Sequence, residues 1–386
     1  MLTRLHRLLY RARANRLPYY LYYLLKNHGA HSLLRYIRYV QYFKQAQDHL
    51  LKKTYASDTK SLIVFLTPGF DVVNGGILSI TSIFEETKKL KNVHNAETIM
   101  CTIPGDPLLL RYTKFNNHNY IYRLSQVISY FQNLENIMIH IPEYCVYQFL
   151  RNISTSNYLR IKKIKNVHFN VLLQNIKLLS SLIHINKLRK LGTLTCTTAH
   201  EKYSTREIRD KLGFPLHKLS WYLSTEQYDH KPYFEKEDLM IVSPDTHERK
   251  SEVLRSLAEQ FPNLHIQIVK NLTYTEYKEA ISRAKWALTF GEGLDGYFIE
   301  TIFSGGISFS VYDSAFFTDD FKALRTVYDN YDVLINNICS DIQYLDDETS
   351  YIPYHRDQYD LLCKYFKYEE YVRNIRLYYE KKYTYP

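Results

Sequence analysis

The stretch 286–313, WALTFGEGLDGYFIETIFSGGISFSVYD, restricts the fold of this chain more than any other segment. Residues 286–290 read as a short apolar strand, and residues 291–296 as a glycine-rich turn holding Glu292 and Asp295. Residues 297–304 are apolar at helical spacing, Gly305 and Gly306 stop the helix, and residues 307–311 read as the next strand. A strand, loop, helix and strand in that order predict a parallel α/β unit. The loop then lies at the carboxyl edge of the sheet, where such folds bind ligands, and the first helical N–H groups suit a phosphate. Glu292 falls on this loop and Glu300 eight residues later on the helix. By themselves the two acids fit better a tight turn carrying a solvated carboxylate and a surface helix residue.

The combination of Glu292, Glu300, Ser304-Gly305-Gly306 and a following strand resembles the E-x7-E segment of retaining glycosyltransferases of the GT-B fold, family 4 in particular. The chain keeps Glu292, Gly293, Glu300 and Gly305. It departs with Asp295 and Gly296 where one glycine is usual, Thr301 for alanine and Ser308 for proline. The resemblance implies that Glu292 lies near a donor sugar and Glu300 on the ribose of a sugar nucleotide. Gly293, Gly296 and Gly305 would shape the donor loop.

Further strands are expected at 61–66, 97–103, 135–141, 167–173 and 194–197, separated by helical stretches. After the first comes Asn74-Gly75-Gly76 and a helix, the opening unit of a doubly wound domain. Gly75 and Gly76 would let backbone approach a donor or acceptor closely. Polar residues gather past several strand ends: His140 and Glu143, then Gln174 and Asn175, then Thr198, His200, Glu201 and Tyr203. His200 follows a buried-looking strand and opens a helix, so it is the candidate cleft histidine, with a structural role as the alternative. His168 lies within a strand pattern and is expected in the core or satisfied by hydrogen bonds in one tautomer.

Residues 224–238 turn polar and mark the linker to a second α/β domain that begins with the strand 238–242. The loop SPDTHERK follows. In the resembled family this loop supplies an arginine and a lysine to the diphosphate, which makes Arg249 and Lys250 candidates, although the family's flanking glycines are missing. Strands at 264–269 and 286–290 lead to the central segment. The expected architecture is therefore α/β with two Rossmann-like doubly wound domains (GT-B): a helical extension over 1–60, domains over 61–230 and 231–350, and a helical tail over 351–386 that crosses back onto the first domain.

Hydrophobic content of 45% with 23% charged residues is that of a folded chain. The five cysteines are scattered with no CxxC pair, which fits packed thiols in a reducing compartment and excludes a disulfide framework or zinc site. Charge placement adds a constraint. Residues 1–53 hold 11 Lys/Arg and one acid, leaving 39 basic and 39 acidic residues elsewhere. Such an arm, with leucines and tyrosines between its arginines, suits either an anionic membrane surface or a helical extension packed on the main domain. Nucleic acid is excluded as a partner because the remainder is neutral and carries no base-reading motif. No transmembrane span or cleaved leader is evident.

These readings lead to a glycosyltransferase expected to move a sugar from a nucleotide-sugar donor to a glycan or lipid-linked acceptor in surface polysaccharide (capsule or lipopolysaccharide) synthesis. The resemblance implies retention of configuration, no cofactor and no metal, and a cytoplasmic protein peripheral to the inner face of the cell membrane. A nucleotide-sugar 2-epimerase of the same fold and a non-catalytic membrane-associated assembly protein are the alternatives.

Overall fold

Runs of β-branched and aromatic residues bounded by glycine and polar turns give two separate parallel sheets in the computed structural model, which describes residues 38, 40–220 and 228–386. The first sheet contains β1 (Ser61–Thr67), β2 (Glu97–Thr102), β3 (Ile121–Arg123), β4 (Asn136–Pro142), β5 (Asn166–Leu173), β6 (Thr193–Thr198) and β7 (Leu216–Lys218). Their order is β3-β2-β1-β4-β5-β6-β7, and every neighbouring pair is parallel. The second contains β8 (Glu237–Val242), β9 (His265–Ile268), β10 (Ala284–Leu288), β11 (Ile307–Val311) and β12 (Val327–Tyr328), ordered β12-β11-β10-β8-β9 and again parallel. Both are doubly wound, as expected. The strand order reverses between β1 and β4 in one sheet and between β8 and β10 in the other, which opens a crevice at the carboxyl ends of those strands.

The central strands are buried along nearly their whole length, as strands covered by helices on both faces must be. The expected strand 286–290 begins two residues earlier, at Ala284, and ends at Leu288. Three short strands, β3, β7 and β12, have two or three residues each and no readable periodicity. His140 lies inside β4, stacked on Phe65 with ring centroids 4.2 Å apart, and not beyond the strand end. His168, expected in the core, is satisfied by the hydroxyls of Thr193 and Thr195 at 2.7 and 2.8 Å.

The two units share apolar contact: Phe316, from the loop after β11, belongs to the same buried cluster as Tyr203 and Cys196. Of the tail expected over 351–386, residues 351–363 complete helix Glu348–Cys363, which packs on the second unit through Tyr351 and Gln358, and only the part beyond it crosses back. Helix Tyr368–Tyr379 bonds Ser82, Thr87 and His140 through Tyr371 and Tyr379, and Tyr385 adds an antiparallel bridge to Leu216. Residues 40–54 form a helix docked on the first unit. In it Leu51 is buried, and Gln47 donates to the carbonyls of Leu109 and Ile121 while accepting from Arg123. Residues 1–37 and 39 of the basic arm, and 221–227, which take in 224–227 of the expected linker, lie outside the described residues. Among the described residues no helix is long and apolar enough to cross a membrane.

Candidate functional site

The carboxyl ends of the two sheets face one another, and short polar side chains join them. Asn175, just past β5, donates its backbone N–H to Glu143 Oε1 at 2.8 Å and its side-chain Nδ2 to Glu292 Oε1 at 2.5 Å. Its Oδ1 accepts from the Lys177 N–H at 2.9 Å, so the amide is held at both ends. Lys177 then reaches Asp313, past β11, at 2.5 Å. Asn175 and Lys177 thus tie loops of the first unit to loops of the second on either side of Glu292.

Glu143 follows β4, beside the strand-order reversal of the first sheet, and is fully buried. Its Oε2 has no hydrogen-bond partner among the described residues. Burial, opposed by the backbone N–H it accepts, pushes its pKa up to about 7. Glu292 is likewise pushed up to about 7, chiefly by burial and then by the neighbouring Asp245 and Asp313 carboxylates, against the Asn175 bond and Lys177. A carboxyl group at this value exchanges its proton near neutral pH, which suits general acid–base work.

The loop carrying Glu292 is shaped by backbone constraint. Gly293 has φ +81°, and a Cβ there would lie 2.6–2.8 Å from the Phe317 ring, Ser310 Oγ and the Val311 carbonyl, so only glycine fits. At Gly291 a Cβ would lie 2.8 Å from Asp245 Oδ2, which places the loop after β10 directly against the loop after β8. Asp295 caps helix Gly296–Phe303, accepting from the Phe298 N–H at 3.1 Å and from Thr289 Oγ1 at 2.5 Å. Of the opening amides that the sequence reading set toward a phosphate, the one at Phe298 is thus taken by an internal carboxylate.

The remaining candidates are dispersed. Glu300 is buried, with Oε1 accepting from Tyr228 at 2.6 Å and from Tyr274 at 2.5 Å, and burial raises its pKa. Gly305 has φ +90° and ends the helix at the amino edge of the second sheet, where a Cβ would strike the Lys231 carbonyl at 2.5 Å. That location makes it a helix stop, away from Glu292. Gly296 opens the helix and accepts from Tyr277. Lys250 stands at the β8–β10 crevice, bonded to the carbonyls of Ser243 and Asp245 and set over the Phe290 ring. Arg249 turns away onto Glu252 and Asp332.

On the first unit, Gly75 and Gly76 open helix Gly75–Lys89 behind the Asn74 cap. Gln174 Nε2 donates to the Gly76 carbonyl at 3.0 Å, which joins this turn to the Asn175 loop. His200 is buried between Tyr203 and Phe316, with ring centroids at 5.3 and 5.6 Å, and burial lowers its pKa to about 4, so it is neutral at pH 7. Asp347 caps a helix and Asp346 pairs with Lys285, so the acidic loop 346–348 is occupied by structural bonds. Sequence reasoning noted Glu143 and Asn175 only as polar residues past strand ends and did not select Asp245. The strand order, which makes β4 and β8 border the reversals, is what distinguishes Glu143 and Asp245, with Asn175 following β5 next to β4.

No protein-family model and no curated protein matches the sequence. Solved structures do resemble the fold. A trehalose-6-phosphate protein from E. coli bound with UDP-2-fluoroglucose is 8% identical over 83% of this chain and 98% of its own, with a TM-score of 0.49. The T4 phage β-glucosyltransferase is 13% identical over 84% and 99%, at 0.41. A UDP-GlcNAc 2-epimerase from Neisseria meningitidis is 11% identical over 79% and 98%, at 0.36. At these identities and scores residue roles do not carry over from any of the three.

Proposed function

We propose that this chain transfers a sugar from a nucleotide-sugar donor to a hydroxyl of a glycan or lipid-linked acceptor, in the cleft between its two Rossmann-like units. One observation carries the reading. Glu292, on the glycine-bent loop at the strand-order reversal of the second sheet, meets Asn175 and Glu143 at the carboxyl edge of the first. Crevices at such reversals are where doubly wound sheets bind ligands, and a site shared by two of them can hold donor and acceptor together.

In this reading Glu292 orients the donor sugar, and Lys250 at the β8–β10 crevice offsets the developing diphosphate charge. Arg249 would join it only after leaving Glu252 and Asp332. Glu300 would reach a ribose only by exchanging the hydroxyls of Tyr228 and Tyr274 for those of the nucleotide. Gly75 and Gly76 border the acceptor side, and His200 closes the cleft as a neutral wall with hydrogen-bonding capacity. Retention of configuration, independence of metal, and a place in surface polysaccharide synthesis at the inner membrane face belong to the same proposal, with residues 1–53 as the arm toward anionic lipid.

The test is a thermal-shift panel of sugar nucleotides followed by turnover with and without acceptor. A stabilising donor that is consumed only when acceptor is present supports transfer. A donor epimerised without acceptor, or no sugar nucleotide that stabilises the chain, overturns it.

A further inference from the structure

The neutrality of the chain beyond residue 53 conceals a second segregation of charge. Residues 144–200 contain nine Lys/Arg and no Asp or Glu. All nine basic residues are exposed, and among the described residues only Lys177 forms an ion pair, while Lys165 lies within electrostatic reach of Glu135. The stretch supplies helices Val146–Asn152, Thr155–Lys162 and Leu182–Leu188, the crossovers from β4 to β5 and from β5 to β6. Successive right-handed crossovers in one direction along a sheet lie on the same face. The buried sides of these helices, Phe149, Ile161, Ile185 and Leu188, share one cluster with Leu51 of the helix over 40–54, so that helix packs on this same face.

Large apolar side chains stand exposed among the charges: Ile183 at 71%, Leu178 at 53%, Leu159 at 50% and Tyr147 at 49%. Tyr147 and His184 pack together with ring centroids 4.8 Å apart, and Ser180 bonds the Glu143 carbonyl, so the apolar positions of two separate segments form one lip beside the cleft. Isolated exposed leucines are ordinary, but an apolar lip beside a stretch of basic helices that itself carries no acid, with Glu207 and Asp210 only on the neighbouring helix Arg206–Leu212, is a surface of defined chemistry.

We propose that this outer helical face of the first unit, residues 144–190, docks on an anionic lipid bilayer. Basic side chains would meet the head groups, and Tyr147, Leu178, Leu182 and Ile183 would enter the interface. A second copy of the chain would set like charge against like charge. Nucleic acid would leave Leu178, Leu182 and Ile183 in water, since aliphatic side chains stack no base. Docked in this way, the protein opens its cleft at the membrane surface, where Glu143 and Asn175 would meet a lipid-linked acceptor. That consequence rests on the transferase reading; the docking itself does not.

The experiment is flotation of the full chain with phosphatidylcholine vesicles, with and without phosphatidylglycerol, using three variants confirmed as folded by thermal melting. The expected result is preference for the anionic vesicles. Partitioning should fall at least about tenfold in Lys162→Glu/Lys163→Glu/Lys165→Glu, given the ~1 kcal/mol contributed by each interfacial cation. Leu182→Ser/Ile183→Ser should lower it severalfold and make the remainder salt-sensitive. Arg4→Gln/Arg7→Gln/Arg11→Gln/Arg13→Gln should retain measurable binding. Parent-like flotation of both face variants, or loss of all binding in the arm variant, overturns the proposal. So does capture by soluble polyphosphate with no vesicle binding. A donor-induced thermal shift measured in parallel reports on the transferase reading independently, because none of these substitutions touches the cleft acids.

Discussion

Glu292 and Asn175 terminate different sheets, yet the Asn175 Nδ2 lies 2.5 Å from Glu292 Oε1 while the same residue's backbone N–H holds Glu143. One asparagine therefore positions an acid from each unit. Asn175→Ala removes the side-chain half of this link and leaves a half-buried carboxylate without its donor. The expected loss is about 1–3 kcal/mol in denaturant unfolding, with no change of fold by circular dichroism.

Glu292→Gln keeps the shape of the side chain and an acceptor for Asn175 but removes the acid. If the cleft works as proposed, kcat falls by at least about 100-fold while donor-induced thermal stabilisation persists. Steady-state kinetics with the donor found by screening separates the two. Unchanged turnover removes Glu292 from the chemistry.

Glu143, Glu292 and Asp295 all have folded pKa values raised to about 7, mainly by burial. In the unfolded chain these groups titrate near 4, so between about pH 4 and 7 the folded state binds more protons than the unfolded one. Their contribution to stability is therefore full at the acid end of that window and declines as pH rises to 7. A Glu143→Gln/Glu292→Gln/Asp295→Asn variant should show a flatter dependence of melting temperature on pH between 4 and 7 than the parent. An identical slope contradicts the burial argument.

Two glycines near the cleft should respond oppositely to the same change. Gly293→Ala forces a side chain into left-handed backbone and against the Val311 carbonyl at 2.8 Å, and should destabilise by at least about 2 kcal/mol. At Gly75 a Cβ meets open space in the first turn of a helix, so Gly75→Ala should be neutral or stabilising by about 0.4–1 kcal/mol. Lost activity in a fully folded Gly75→Ala would indicate that substrate approaches the backbone there.

Glu300 supports two tyrosine hydroxyls from inside the second unit. Glu300→Ala strands both and opens a void, with an expected loss of about 2–4 kcal/mol. Glu300→Gln still accepts from them and should stay within about 1 kcal/mol. If donor binding requires the ribose to displace these tyrosines, Tyr274→Phe tightens donor binding, read as a lower Kd by calorimetry; no change in Kd leaves Glu300 with a packing role.

Local pattern in the sequence determined the elements. The period-two and continuous apolar runs became β1, β2, β4, β5, β6, β8, β9 and β11 within a residue or two, because strand burial leaves its mark on every residue of the run. The glycine bend at 291–296 and the helix after it were legible for the same reason: φ +81° at Gly293 is a requirement that a side chain cannot meet. What only the tertiary structure decided was which polar residues meet. Glu143, Asn175, Asp245 and Glu292 are scattered over some 150 residues, and nothing in their spacing marks them as neighbours. Strand order brings their loops to two facing edges, and burial there, not sequence context, raises the proton affinity of Glu143 and Glu292. By the same logic Glu300 and Gly305, read from spacing as partners of Glu292, are turned toward the interior and the far edge of the sheet, since a helix distributes its residues around its axis and along its length.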